Sequence, residues 1–275
     1  MCLSTHLGKL TCHCAGSTSI VDAIDANGLL RSDILISHAC NLTPSDEEKL
    51  TKAHASVSST PDTELQMGLG HPVCFRDGVK AISSLGIDCH SNNSGDIISQ
   101  MRLILQAERG RRNEILIQQG KAPRSIDPSV QDVFQLGTMG GARAINMQDR
   151  LGSLQVGKLA DIVIFDALSP GLICAAEQDP VSAIVLHSSV ADIDGVIVDG
   201  HFRKRDAKLI PVDLDLSGTK MKLNATRVGW RDVAAELLNS RERIDKADKK
   251  SLGSDPKQAL NDVIGMFYID EENLA

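Results

Sequence analysis

Two textures of hydrophobic and polar residues follow one another along this chain. Over roughly the first 150 residues, short apolar runs alternate with stretches of helical period. Ser17 to Asn27 has apolar residues at helical spacing, and Gly28 stands where a C-cap glycine would. Asp33 to His38 is a short apolar run closing on a histidine, which predicts a buried strand. Thr43 is a candidate N-cap for a helix with Asp46, Glu47 and Glu48 in its first turn. Ala55 to Ser59 predicts a second strand, and Ile82 to Asp88 a third that also ends on a polar residue. Gly95 to Gln119 predicts a long helix with Ile97, Met101, Ile104 and Leu105 on one side, and Ser129 to Ile145 another.

Short buried strands alternating with helices imply parallel βαβ units. An α/β barrel places its chemistry at the C-terminal ends of such strands, which singles out His38 and Asp88. Past Asn146 the pattern changes. Leu151 to Asp166 and Ile193 to Gly200 read as turn-punctuated strands of a small β-unit. From about Lys220, Trp230, Val233, Leu237 and Ile244 fall on one face of an amphipathic helix suited to docking on the main body or on a partner. The expected organisation is therefore 1–150, 151–219 and 220–275.

Composition narrows the function. The chain has 275 residues and a net charge of −7, with 42% hydrophobic residues but only 3% aromatics. Its core must be built from aliphatic side chains. The acidic balance offers no basic stripe for phosphates, so nucleic acid is not expected as a partner. The stretch Arg241 to Lys250 interleaves its basic residues with Glu242, Asp245 and Asp248 and reads as a solvated helix face. The seven cysteines match no disulfide framework, no signal peptide follows Met1, and no apolar run is long enough to span a bilayer. A cytoplasmic location with free thiols and no membrane partner is the expectation. Cys12 and Cys14 flank His13 in the manner of a metal knuckle, but no second cysteine pair stands at finger spacing.

Three stretches carry candidate chemistry: Thr5 to Gly8 with His6, Ile36 to Ala39 with His38, and Leu85 to Ser94 with Asp88. Two histidines and an aspartate at successive strand ends could converge on one ion, and zinc favours such nitrogen and oxygen donors. These residues resemble the amidohydrolase superfamily, in its branch of cytosine and guanine deaminases, methylthioadenosine deaminase-like enzymes and triazine hydrolases. Gly86-Ile87-Asp88 and Ser91-Asn92-Asn93-Ser94 resemble that branch's strand-eight motif. Gly141-Ala142-Arg143-Ala144, followed by Leu151 to Asp161, resembles the passage from barrel to accessory β-sandwich. Val196 to Gly200 resembles the closing strand.

The resemblance implies an α/β fold: a partial (β/α)8 TIM-type barrel comprising strands five to eight, part of an accessory β-sandwich, and a helical C-terminal tail. It implies that His6, with His13 as its competitor, is the strand-five metal ligand. His38 would contact the metal, its water or the substrate, and Asp88 would serve as ligand and general base. The cofactor would be zinc or ferrous iron, incompletely coordinated by this chain. The substrate would be a small molecule such as an amidine or aminated heterocycle, hydrolysed at a C–N or carbon–halogen bond. Three departures stand out. The strand-one His-x-His is absent, Lys9 occupies the position three after His6 where a glutamate is usual, and Ser58-Ser59-Thr60-Pro61 replaces the frequent SH-x-P. Glu64 is the carboxylate offered in substitution, at the mouth of the site. His54, His71, His90 and His187 are expected to be structural or surface residues, and Asn92 and Asn93 to brace the loop after Asp88. The chain reads as the C-terminal half of such an enzyme, whose open sheet edges imply self-association as a homo-oligomer, dependence on a missing half, or a truncated gene model. A catalytically inactive remnant or interaction protein is the alternative reading.

Overall fold

The structure, a computed structural model, describes residues 3–6, 9–13, 19–91, 93–215, 226–251, 258 and 261, with side chains from residue 19 onward except at 248–251. The chain divides into two units, Met1–Lys208 and Leu209–Ala275.

The first unit is organised by a five-stranded sheet in the order β1 to β5. β1 (Leu3–His6) and β2 (Lys9–His13) pair antiparallel. From β2 the sheet is parallel, through β3 (Ile34–Ser37), β4 (Ser56–Ser59) and β5 (Ser83–Leu85). Each crossover is built as its sequence suggests. Helix α1 (Ile20–Ala26) starts at Ser19, whose hydroxyl accepts from the Asp22 N–H, and ends before Gly28 at φ +65°. Helix α2 (Pro44–Lys52) starts at a reciprocal cap in which Thr43 and Asp46 satisfy each other's backbone N–H groups. The Ser19 hydroxyl also donates to Asp46 at 2.6 Å, tying the two helix starts together.

Helix α3 (Pro61–Gln66) follows β4 directly. Helix α4 (Ile97–Gln118) begins at Asp96, which accepts from the Ser99 N–H. Of its predicted apolar side, Met101, Ile104 and Leu105 are buried. The predicted helix over Ser129 to Ile145 is present but not uniform. It runs as α5 (Val130–Gln135), a wider π turn over Leu136–Gly140, and α6 (Gly141–Ala144). The π turn brings backbone against backbone: a Cβ on Gly140 would stand 2.9 Å from the Ser83 carbonyl oxygen of β5. Two aliphatic clusters cement the unit. One joins α1, α2, β3 and β4 through Val21, Ile34, Ile36, Leu50 and Val57; the other gathers Leu85, Ile104, Leu105, Val133 and Val185. Each such side chain contributes about 1.5–3 kcal/mol on burial.

Both segments read as strands past Asn146 contain a strand. β6 (Ile162–Phe165), β7 (Ile193–Val198), β8 (His201–Arg205) and β9 (Lys208–Leu209) form a four-stranded sheet in that order. Between β6 and β7 lie α7 (Ala175–Gln178), α8 (Pro180–Ser182) and a π turn over Ala183–His187. His187 is exposed at the end of that turn.

The second unit contains β10 (Val212–Asp213), paired antiparallel with β11 (Arg227–Val228), and helix α9 (Trp230–Ser251). The helix carries the predicted Trp230, Val233, Leu237 and Ile244 spacing.

Candidate functional site

The register of the parallel sheet aligns the strand ends. His13 lies opposite Ser37, Ser37 opposite Ser58, and Ser58 opposite Ser84. His38 is the first residue past β3, Thr60 the first past β4 and Gly86 the first past β5. His38 and Asp88 thus belong to the C-terminal edge, as expected. His6 does not share that edge. Its strand runs antiparallel to β2 and pairs it with Lys9, at the other end of β2 from His13.

The edge is built in two different ways. At the ends of β3 and β4 the polar groups are interior. His38 is 6% exposed, Thr60 5% and Glu64 0%. The Thr60 hydroxyl lies 2.8 Å from His38 Nδ1. The Thr60 N–H donates to Glu64 Oε1 at 2.7 Å, and the Thr60 hydroxyl is 3.4 Å from the same oxygen. Glu64 Oε1 is itself 3.5 Å from His38 Nδ1. The backbone is held just as firmly. The His38 N–H donates to the Ser58 carbonyl at 2.9 Å, while His38 and Ala39 both adopt left-handed φ, +67° and +61°. Two consecutive non-glycine residues in that region cost of order 1–3 kcal/mol each and persist only where the surroundings dictate them. Glu64, expected at the mouth, is therefore an interior group in contact with Thr60. Thr60, which links His38 to Glu64, has no part in the sequence reading; its only signal is its place directly after a strand-end serine pair.

Behind this group lies Cys74, fully buried. Burial, and then the neighbouring charge of Glu64, push its thiol up to about 12, so it behaves as an apolar side chain.

At the end of β5 the groups are exterior. Asp88, Cys89 and His90 are all exposed, and Asp88 has φ +63°. Gly86 lets this segment lie close to β4: its N–H donates to the Ser59 carbonyl at 2.8 Å, and a Cβ there would meet Ser58 Oγ at 2.9 Å and Thr60 Cγ2 at 3.2 Å. The Asn93 side chain donates to the Ile87 carbonyl at 3.3 Å, bracing the loop as expected; Asn92 lies outside the described residues. His71 pairs with Glu108 at 2.8 Å, a structural partnership.

Among the described residues, no group of three or more His, Cys, Asp or Glu side chains could hold a metal ion. His38 and Asp88 share an edge without forming such a group, and the side chains of His6 and His13 lie outside those described. A groove of about 600 Å³ opens elsewhere, between α4, the π turn after α5 and β6, lined by Ile97, Met101, Phe134, Ile162, Phe165 and Ile193. None of His38, Glu64 or Asp88 lines it.

A parallel βα sheet with histidine and aspartate at its C-terminal edge is thus followed by a small antiparallel sheet. Residues 10–203 match the amidohydrolase family, and the chain belongs to it. It is 29% identical over 200 residues to the 5-methylthioadenosine/S-adenosylhomocysteine deaminase of Desulforudis audaxviator, covering 71% of this chain and 43% of that protein. It is 31% identical over 193 residues to the 5'-deoxyadenosine deaminase of Methanothermobacter thermautotrophicus, covering 69% and 42%. The chain thus spans less than half the length of these relatives. Among solved structures it resembles an adenosine deaminase from Xanthomonas campestris with bound zinc, at TM-score 0.62 and 21% identity over 82% of this chain and 45% of that one. It also resembles the zinc complex of atrazine chlorohydrolase from Arthrobacter aurescens, at 0.57 and 20% over 70% and 40%. Among the described residues, no helix is long and apolar enough to cross a membrane.

Proposed function

We propose that this chain forms the strand-five-to-eight portion of a metal-dependent amidohydrolase barrel that hydrolyses a carbon–nitrogen bond of a small aminated molecule. The observation that carries the reading is the row of ligand-type residues on one sheet edge: His13 in register with Ser37, His38 just past β3, and Asp88 beyond β5. Imidazole nitrogen and carboxylate oxygen suit zinc and also ferrous iron. In donor chemistry and strand position these residues fit a metal. The described side chains do not complete its coordination, so further donors must come from outside them. A metal held there would supply acidity, bringing the pKa of a bound water toward neutrality.

The remaining roles fall to this chain's own groups. Asp88, exposed at the edge, is the general base. His38, buried and oriented, either ligates or positions the reacting groups. We assign the strand-five position to His13 in place of His6. Two observations support that choice: His13 shares the C-terminal edge while His6 does not, and the family match starts at Leu10. The names of the relatives favour a purine nucleoside altered at its 5' position, whose exocyclic amine is a C–N bond of the required kind.

The test is zinc affinity, measured on the full chain by competition with a chromophoric chelator, together with ammonia release from 5'-deoxyadenosine in the presence of zinc. Binding should be weak enough to be lost on dialysis. His13→Asn and Asp88→Asn should weaken it at least about tenfold, the loss seen even for outer-shell partners. His6→Asn should leave it unchanged. Equal affinity in all four proteins would overturn the reading.

A further inference from the structure

We infer that Thr60 and Glu64 are positioning residues that hold the His38 imidazole as its Nδ1–H tautomer, so that Nε2 carries the ring's lone pair. The argument is one of donors and acceptors. Glu64 Oε1 receives the Thr60 N–H at 2.7 Å, so it presents acceptor character to its surroundings. The same oxygen lies 3.5 Å from His38 Nδ1, and the Thr60 hydroxyl oxygen lies 2.8 Å from it. An unprotonated Nδ1 would set a lone pair against the Glu64 oxygen in a site shielded from water. A protonated Nδ1 donates to Thr60, whose own hydroxyl hydrogen can turn toward Glu64 at 3.4 Å. The Nδ1 hydrogen and the Thr60 hydroxyl hydrogen then each lie between a donor and an acceptor. In water a neutral imidazole favours the proton on Nε2, so the arrangement reverses the intrinsic preference.

Packing alone does not account for this carboxyl. Glu64 is fully buried, and its Oε2 finds no hydrogen-bond partner among the described residues. Leaving such an oxygen unpaired in the interior is unfavourable. The left-handed backbone at His38 adds its own cost at the same place. Strain and a half-satisfied buried acid, converging on one imidazole, are what a site with a fixed ring orientation requires. Metal and substrate contacts depend on which ring nitrogen holds the proton. The purpose of the lock rests on the proposed function above; the lock itself does not.

The experiment uses the full chain, free of metal and labelled with ¹⁵N-histidine. It has eight histidines, and the His38 signals are those lost in His38→Asn. Long-range ¹H–¹⁵N spectra at about pH 8, above the ordinary histidine pKa, read the tautomer directly. We expect Nδ1 to hold the proton at least about tenfold over Nε2, since a hydrogen bond present in one tautomer and absent in the other corresponds to a factor of about that size. Thr60→Ser should keep that ratio. Thr60→Val and Glu64→Met should each bring it to near one or reverse it. The proton on Nε2 in the unsubstituted chain would overturn the inference, even if both variants failed to fold. An unchanged ratio in folded Thr60→Val and Glu64→Met would overturn it as well. Because no metal is present, a chain with the Nδ1–H tautomer and no zinc affinity would refute the hydrolase reading and leave this one standing.

Discussion

The ends of β3 and β4 and the end of β5 lie on the same sheet edge and are built on opposite terms. At β3 and β4 the polar side chains are interior, with hydrogen bonds from His38 through Thr60 to Glu64. At β5 the polar side chains are exposed, and only the backbone is fixed, by Gly86 against β4 and by Asn93 on the Ile87 carbonyl. An interior polar group stabilises only while each partner is present, whereas an exposed one can be exchanged at small cost. Substitution is therefore expected to cost stability at His38 and little at Asp88.

The largest break in that contrast lies beneath His38. Ile36 is fully buried two residues before it and anchors β3 in the first aliphatic cluster. Ile36→Ala should cost about 2–5 kcal/mol in urea unfolding. A loss below 1 kcal/mol would mean that β3 does not depend on that cluster. Next comes Gly140→Ala. Its new Cβ would press on the Ser83 carbonyl, which is backbone and cannot rotate away. The expected cost is about 1–3 kcal/mol, and the strain falls on β5. Thr60→Val should cost a similar 1–3 kcal/mol or so by leaving the Glu64 oxygen and the His38 ring short of a partner.

A third region sharpens the comparison through pH. Glu108 on α4 is nearly fully buried and receives hydrogen bonds from Arg111, Arg112 and His71. Burial alone would raise its pKa; the three partners outweigh burial and hold it at about 2, against an ordinary 4.5. A depressed folded-state pKa means stability that is present above 4.5 and lost as pH falls toward 2. Unfolding of the unsubstituted chain and of Glu108→Gln should differ at neutral pH and converge across that interval. Parallel curves down to pH 2 would show that the three partners contribute nothing through the charge.

How much of this could be read in the sequence follows from the range of the forces involved. Local signals were reliable: the Thr43 cap, Gly28 after α1, the strand ending before His38, and the apolar side of α4 all depend on neighbours a few residues away. The edge position of His38 and Asp88 was legible because a strand end is a local fact. The pairing of β1 was not. His6 looks like a strand-end histidine until the antiparallel register with β2 is known. The π turn over Leu136–Gly140 was invisible for the same reason, since it answers to the carbonyl of Ser83, far away in sequence. Glu64 was found as a carboxylate near the site but expected at its mouth. Its helix α3 packs against α4, far along the chain, and nothing local to Thr63-Glu64-Leu65 announces its burial.

The smallest expected effect is the most informative about the exposed side. Asp88→Asn replaces an exposed side chain with an isostere, and no charge partner of Asp88 is recorded among the described residues. Its stability should change by no more than about 0.5 kcal/mol, while zinc affinity falls as proposed above. Two measurements on one variant thus separate two explanations for an aspartate at φ +63°. If the residue serves the loop, stability falls and zinc affinity does not. If it serves chemistry, the reverse holds, and the strained backbone is sustained by Gly86 and Asn93, which the substitution leaves untouched.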